Sequence, residues 1–385
     1  MPNNFNGEHF MRRALALARE GMGMASPNPY VGAVIVDGYG NIVGEGVYTY
    51  AGVNHAEIQA LKQAGKKSHG GTLYINLEPH SHQGRTPPCT DALIAAGIKR
   101  IVAAMPDPNP LVSGKGFEKL RAAGIEVEVG LLEEEAQRLN ESFARFIRHR
   151  VPLVMLKTAM TLDGKIAAIE NVAQRTEGVP SGGWITGELA RAHVHEQRHQ
   201  SDALMVGIGT ILVDNPLLTD RSGHPRRRPL LRVILDSKLR LPLDSRLVQS
   251  VEKNPGSAKD VLVFHSSADG NKLRTLTTLG FHLEEVPVLS NGRLDIPAIL
   301  RRLGELEITS LMIEGGATVN ASALSYGVVD KVFLYYAPTI WGMIGSIPFA
   351  EHADLRESLR LSNLRLHRFG EDFAVEAYLR DPYVD

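Results

Sequence analysis

The stretch from Asn54 to Cys89 carries three short runs: Asn54-His55-Ala56-Glu57, Glu78-Pro79-His80 and Pro87-Pro88-Cys89, the last preceded by Ser81-His82-Gln83-Gly84-Arg85-Thr86. A His-x-Glu step followed by Pro-ligand and Pro-Cys steps is the pattern expected when Zn²⁺ activates water for attack on an aminopyrimidine. The chemistry dictates the residue types. Three ligands, here His55, His80 and Cys89, hold the metal and leave a fourth position open. Glu57, two residues past the first ligand, is placed to carry a proton to the departing amine without binding the metal.

Local patterning supports this grouping. Residues 57–62 (EIQALK) read as the first turns of a helix, and residues 90–97 (TDALIAAG) as a second one ending on Gly97. His55 and Cys89 then both stand at helix starts, where the positive helix end favours a thiolate. The usual signature has two cysteines, whereas this chain has His80 at the first of those positions. His82 is the alternative ligand to His80, or else a substrate contact. The competing structural reading is a polar loop of surface histidines beside a buried cysteine.

The chain has 385 residues, enough for two ordinary domains. With 43% apolar and 22% charged residues and a net charge of −1, it reads as a soluble globular protein without the basic excess that nucleic acid or an anionic membrane rewards. Cys89 is the only cysteine, so an internal disulfide is excluded and a reducing compartment fits. The N-terminus lacks the layout of a secretion signal, and no apolar run reaches the ~18 residues of a membrane span. A cytoplasmic location is expected.

Taken in order, residues 8–20 repeat apolar side chains at helical spacing, and the prolines of Ser26-Pro27-Asn28-Pro29-Tyr30 dictate an ordered loop. Residues 31–36 and 41–44 form a hairpin around Asp37-Gly38, with further strands at 72–77, 99–105 and 125–129. Helices between them imply an α/β sandwich with a mixed sheet, its active loops at one edge. A charged amphipathic helix over 133–148 leads into a basic hinge, which places the boundary between domains 1–148 and 152–385. In the second half, strands are expected at 153–157, 203–207, 232–236, 261–264, 310–314 and 332–336, with 373–379 closing the sheet. Their continuous apolar character argues for a largely parallel sheet covered on both faces. Gly207-Ile208-Gly209 and Gly315-Gly316 each follow a strand, as phosphate-binding turns do, although tight strand-to-helix turns look the same. Arg226-Arg227-Arg228 reads as a solvated loop or a phosphate site.

With both halves laid out, the chain resembles the bifunctional riboflavin-biosynthesis deaminase–reductases along nearly its whole length. The matching runs include SPNPYVGAVIV, NHAEIQAL, LEPHSHQGRTPPCTDALIAAGIKRIVAAMPDPNP, LKTAMTLDGKIA, GWIT, VGIGTILVDNPLLTDR, RVILDS and IEGGATVNASAL. The resemblance implies a cytidine-deaminase-like α/β/α sandwich followed by an α/β reductase of dihydrofolate-reductase-like fold that uses NADPH. It implies successive deamination and ribose reduction of phosphoribosylaminopyrimidines, and a homodimer or homotetramer. It puts His55, His80 and Cys89 on the zinc positions, Glu57 on the proton shuttle, and Asn28, His82, Asp107 and Asn109 on substrate contacts. In the second half, Ala159, Trp184, Thr210, Asp214, Ser237 and Gly316, Ala317, Thr318, Val319, Asn320, Ala321 and Ser322 align with cofactor positions. Arg198, Leu218, Arg221 and Glu314 align with substrate positions, the arginines suiting a phosphate through their fork of donors. Lys157 and Asp163 sit near where the hydride should pass.

Two departures from the family pattern stand out. The family carries Cys at His80, so the metal here would keep more positive charge, with zinc retained and its bound water more acidic. Residues 169–180 lengthen the loop before Trp184, and Gly182 replaces a substrate-contacting Ser. Two alternatives compete with the bifunctional reading: a reductase with a degenerate deaminase domain, and an RNA-editing deaminase, which the charge balance disfavours.

Overall fold

Helix α1 (Phe5–Glu20) buries Phe10, Met11, Ala14, Leu15, Leu17 and Ala18, spaced three and four residues apart, along one face. It lies on strand β1 (Gly32–Val36), where a Cβ at Gly32 would collide with the Ala14 carbonyl. Strand β2 (Ile42–Val47) pairs antiparallel with β1, and helix α2 (Ala56–Ala64) packs on it through Ala56, Ala60 and Ala64. Added Cβ atoms at Gly44 and Gly46 would strike the carbonyls of Ala60 and Ala56. This glycine-on-alanine approach seats the start of α2, with His55 and Glu57, against the sheet.

The computed structural model describes residues 5–52, 54–83, 87–167, 184–342, 346–351, 354–355 and 357–384. Residues 84–86 of the loop before Cys89, the lengthened segment 169–180, Gly182 and Gly183 lie outside them. Two compact units result: Met1–Arg150 with Pro225–Arg228, and Val151–His224 with Pro229–Val384. Among the described residues no helix is long and apolar enough to cross a membrane.

The first unit continues with β3 (Thr72–Ile75), α3 (Cys89–Ala95), β4 (Arg100–Ala103), α4 (Lys115–Ala122), β5 (Glu126–Val129) and α5 (Glu133–His149). Its five-stranded sheet has the order β2-β1-β3-β4-β5, antiparallel up to β3 and parallel beyond it. The sheet is mixed, as the sequence implied. The loops after β3 and β4 leave the same end of two neighbouring parallel strands in the middle of this order. Parallel strands with helical crossovers gather their loops at the carboxyl ends of neighbouring strands.

In the second unit, β6 (Leu153–Thr161) and β7 (Lys165–Ala167) precede α6 (Glu188–Gln200), β8 (Ala203–Gly207) and α7 (Ile208–Asp214). Then come β9 (Leu231–Leu235), α8 (Arg246–Lys253), β10 (Val261–His265), α9 (Gly270–Thr278), β11 (His282–Glu285), α10 (Ile296–Glu305), β12 (Ser310–Ile313) and α11 (Ala317–Ser325). Strands β13 (Lys331–Ala337), β14 (Ile347–Pro348), β15 (Ser362–Phe369) and β16 (Asp372–Tyr378) complete the chain. The nine-stranded sheet runs β11-β10-β9-β8-β12-β6-β13-β16-β15, parallel from β11 to β13 and antiparallel at its last two pairings. Both faces are covered. Leu204, Val206, Ile234 and Val263 pack with Val194, Ile211 and Leu247 on one side. Met205, Val233, Leu262 and Leu311 pack with Ile299, Leu303 and Ala323 on the other. Each fully buried aliphatic side chain contributes roughly 1.5–3 kcal/mol, so two-faced burial explains the unbroken apolar strands. Strand β16 does not close the sheet as expected, because β15 lies outside it.

Candidate active sites

Helix α2 uses His55 as its N-cap residue without a side-chain cap bond, and helix α3 begins on Cys89. His80 sits between them, past Pro79. One ligand atom each from His55, His80 and Cys89 lies within 4.8 Å of the others, and the Cys89 Sγ to His55 Nδ1 distance is 3.2 Å. Ligand atoms around tetrahedral zinc stand about 3.3–3.8 Å apart, given Zn–N near 2.0 and Zn–S near 2.3 Å. The three groups fit that ion after shifts of about 1 Å or less, and two imidazoles with one thiolate are a zinc donor set. His82 stacks edge-on against His80, ring centroids 5.1 Å apart, and is not one of the three.

Glu57 is buried and hydrogen-bonded to the Cys89 thiol. Burial pushes the Glu57 carboxyl up, against the opposing pull of His55. Burial and then Glu57 push the thiol up.

Around this centre, buried Asn76 and Asn140 hold both backbone groups of Tyr30 and the amide of Gly32, which fixes the proline-rich loop. In that loop Asn28 donates to the Tyr48 hydroxyl at 2.6 Å, and the Tyr48 ring meets His55 edge-on at 5.4 Å. Tyr48 was not singled out from the sequence, where it falls beyond the strand expected at 41–44. Asp107 accepts from the Asn109 amide, and Asn109 from the Leu111 amide, so both shape their own loop. Burial pushes the Asp107 carboxyl up to about 6, with Glu78 adding to the effect and His82 opposing it. Asp107 and His82 line a small pocket with Pro79 and His80.

In the second unit, β6 presents Lys157 and β12 ends just before Glu314. The Glu314 carboxylate accepts from Arg198 Nε and Nη2 at 2.7 and 2.9 Å, with Lys157 Nζ at 3.5 Å. All three side chains are 15% exposed or less. Burial alone would raise the Glu314 carboxyl, but Lys157 and Arg198 bring it down to about 2. Burial pulls the Lys157 ammonium down while Glu314 opposes this. Lys157 also lies 5.8 Å from the centroid of the buried Tyr335 ring, whose hydroxyl meets His193 Nδ1 at 2.7 Å. Neither Tyr335 nor His193 stood out in the sequence, because an aromatic in an apolar strand looks like core and a histidine on a polar helix looks like surface.

The remaining positions divide into those facing outward and those engaged within the fold. Arg198 Nη1 also donates to the Thr219 carbonyl, so each of its three nitrogens makes a bond to protein. Arg221 is exposed, and its Nε donates to Thr219 Oγ1 at 3.4 Å. Leu218 is buried in a left-handed conformation, φ +56°. The Asp163 carboxylate accepts from Thr161 Oγ1 and from the amides of Trp341 and Gly342, which hold it at about 2, so it ties two loops together. Ala159 pairs with Tyr335 across β6 and β13. Trp184 is 60% exposed under the Arg191 guanidinium.

Gly207 and Gly315 are required by packing, since a Cβ at either would come within 2.8 Å of Val319. Gly209 and Gly316, by contrast, would point a Cβ into open space, and neither has a positive φ. Among the described residues no neighbour explains those two glycines, and such turns leave room for a phosphate to approach the backbone. Thr210 and Asp214 lie on α7, with burial raising the Asp214 carboxyl. Among Gly316 to Ser322, the Asn320 amide donates to the Phe349 carbonyl and to Thr158, and Ser322 donates to the Thr318 carbonyl. Ala317 and Ala321 are buried, while Thr318 and Val319 are not. A cavity of about 860 Å³ opens past the ends of β9, β10 and β11, lined by Ser237, Lys238, Ser266 and Ser267.

This donor set and sheet define a zinc-dependent deaminase fused to a nucleotide-dependent reductase. Residues 6–105 match the zinc-binding region of cytidine and deoxycytidylate deaminases, and residues 152–375 match the RibD C-terminal domain. The riboflavin biosynthesis protein RibD of Actinobacillus pleuropneumoniae is 41% identical over 97% of this chain and 95% of its own. That of Escherichia coli is 38% identical over 87% and 88%. Among solved structures, Acinetobacter baumannii RibD superposes with a TM-score of 0.80 at 35% identity, covering 97% of this chain and 99% of that one. A Thermotoga maritima diaminohydroxyphosphoribosylaminopyrimidine deaminase/5-amino-6-(5-phosphoribosylamino)uracil reductase gives 0.77 at 37%, with the same coverage. The chain belongs to the RibD family. It is a bifunctional riboflavin-pathway enzyme, a hydrolase dependent on zinc and an oxidoreductase dependent on NADPH, and nothing in these likenesses favours a reductase-only protein.

Proposed function

We propose that this chain deaminates 2,5-diamino-6-(5-phosphoribosylamino)pyrimidin-4-one in its first domain and reduces the ribose of 5-amino-6-(5-phosphoribosylamino)uracil to a ribityl chain in its second. The observation that carries the reading is the convergence of His55, His80 and Cys89 beside a buried Glu57. In this reading those three residues hold zinc, which supplies a Lewis acid and a water made nucleophilic near neutral pH. Glu57 takes up a proton and returns it to the leaving amine. Asn28, anchored on Tyr48, and His82, Asp107 and Asn109 orient the pyrimidine.

In the second domain NADPH would supply a hydride when bound, and Gly209, Gly316 and Ser237 would help to hold it. Reduction opens the sugar ring: the C1′–O4′ bond breaks, C1′ gains hydrogen and O4′ gains a proton. Lys157 Nζ, buried against Glu314, holds that proton. Arg198 positions Glu314, and the exposed Arg221 meets the substrate phosphate. Asp163 keeps the Lys165 turn against the Trp341 loop and acts at a distance. The domain boundaries at 148 and 152, a cytoplasmic location suited to one free buried thiol, and a homo-oligomeric state belong to the same reading.

The test measures bound metal and each half-reaction separately. Glu57→Gln should keep stoichiometric zinc and lose deamination while reduction continues. Lys157→Ala should do the converse. A purified wild-type protein without zinc, or a Glu57→Gln enzyme that still deaminates, overturns the first assignment.

A further inference from the structure

The deaminase unit contains one buried carboxylate to which the mechanism above gives no task. Glu78 follows β3, two residues before His80, and its side chain is buried. Its Oε2 accepts from the amides of Asp107 and Gly114 at 3.0 and 2.9 Å, and its Oε1 from those of Gly116 and Phe117 at 2.8 and 3.3 Å. All four donors lie on the segment that follows β4.

Two features of that segment explain why it calls for an outside acceptor. Helix α4 starts after Gly114, which has no side chain to cap it and sits at φ +82°. Its first amides are therefore orphaned, and Glu78 meets two of them from another strand, with its charge at the positive helix end. The approach is also unusually close. A Cβ at Gly116 would collide with the Pro79 carbonyl and come within 3.0 Å of Glu78 Oε1. Only glycine lets the two loops meet there.

One side chain thus couples two parts of the site. The backbone on its one side continues through Pro79 into His80. On its other side lies the loop bearing Asp107 and Asn109, whose shape is set locally by Asx-type bonds to Asn109 and Leu111. Those local bonds fix the conformation of the loop but not its distance from the ligand-bearing loop. Glu78 fixes that distance.

We infer that Glu78 is a positioning residue of the deaminase: it sets the spacing between the His80 loop and the Asp107–Gly116 loop, and so the width of the pocket that receives the pyrimidine. The inference rests on the reading above that Asp107 and Asn109 meet the substrate. Glu78→Gln leaves one carbonyl oxygen for four amides and sets its own NH₂ against the others. A loop displaced on the order of 1 Å changes rates and affinities by up to about 100-fold.

The experiment uses the full-length zinc-loaded enzyme with the pyrimidine substrate. It compares Glu78→Gln, Gly116→Ala and Asn109→Ala, measuring zinc per chain, deaminase KM and kcat, and the reductase rate. The expected result is full zinc, an unchanged reductase rate, and a deaminase KM raised about 10- to 100-fold with kcat within about threefold, in both Glu78→Gln and Gly116→Ala. A purely structural cap would lower stability without this KM–kcat split. Unchanged KM in Glu78→Gln while Asn109→Ala raises it overturns the inference and leaves the substrate reading intact. Unchanged KM in Asn109→Ala overturns the substrate reading of the loop, and the inference with it. Loss of zinc in Glu78→Gln also overturns it, because the carboxylate would then act through His80.

Discussion

Replacing Glu314 by Gln isolates the electrostatics of the reductase centre. The carboxylate joins Arg198 by two bonds of 2.7 and 2.9 Å and Lys157 at 3.5 Å, and is held at about 2 against an ordinary 4.5. That depression is worth roughly 3 kcal/mol of stability at neutral pH. Removing the charge also leaves two cations buried without their partner, which places the expected loss at about 3–5 kcal/mol. For a domain of this size it corresponds to a fall in Tm of roughly 6–20 °C. Both tryptophans, Trp184 and Trp341, lie in the second unit, so fluorescence-detected denaturation reads that unit selectively. The pH dependence carries the sign. A carboxylate whose folded pKa is depressed stabilises fully above its unfolded value and loses this as pH falls through the folded one. The gap between wild type and variant should therefore narrow by about 1 kcal/mol between pH 7 and 4, and by about 2 by pH 3. A loss below about 1 kcal/mol, or a gap that widens on acidification, would refute the argument.

Other consequences are open to direct measurement. Gly209→Ala should weaken NADPH binding, followed by nucleotide fluorescence, while raising stability by up to ~1 kcal/mol, since its Cβ meets nothing in the fold. Unaltered affinity would mean the nucleotide does not pass there. Removing the metal with a chelator should abolish deamination and spare reduction, and added zinc should restore it; parallel loss of both activities would tie the metal to the wrong centre. His80→Cys should preserve one zinc per chain, because imidazole and thiolate both serve that ion. Metal gained only in the cysteine variant would show that His80 does not coordinate.

The metal ligands were legible because their spacing is local. His-x-Glu at a helix start and two proline-led ligands each announce themselves within a few residues, and the structure gathers those three donors. Core strands were legible for the same kind of reason, since burial on both faces leaves an unbroken apolar run. The strands missed in the large sheet, β11 and β15, are its two edges. Residues 282–285 are half-buried or exposed, and Leu364 and Leu366 on β15 are 57% and 70% exposed, so neither strand shows the burial that writes a strand into sequence.

From sequence alone came the donor chemistry and the two-part organisation, both of which depend on residues close together in the chain. Only the tertiary structure decided what each polar group meets. Arg198 reads as a phosphate ligand from sequence, and the structure shows that it also grips Glu314, 116 residues away. Asp163 reads as catalytic until the Trp341 and Gly342 amides are found on it. Glu78 has no assigned part in the sequence pattern, and in the structure four amides from the next crossover converge on it. A carboxylate or guanidinium carries the same letter whether it faces substrate or protein. Its partners are chosen by strand order, and strand order is set by the packing of the whole sheet.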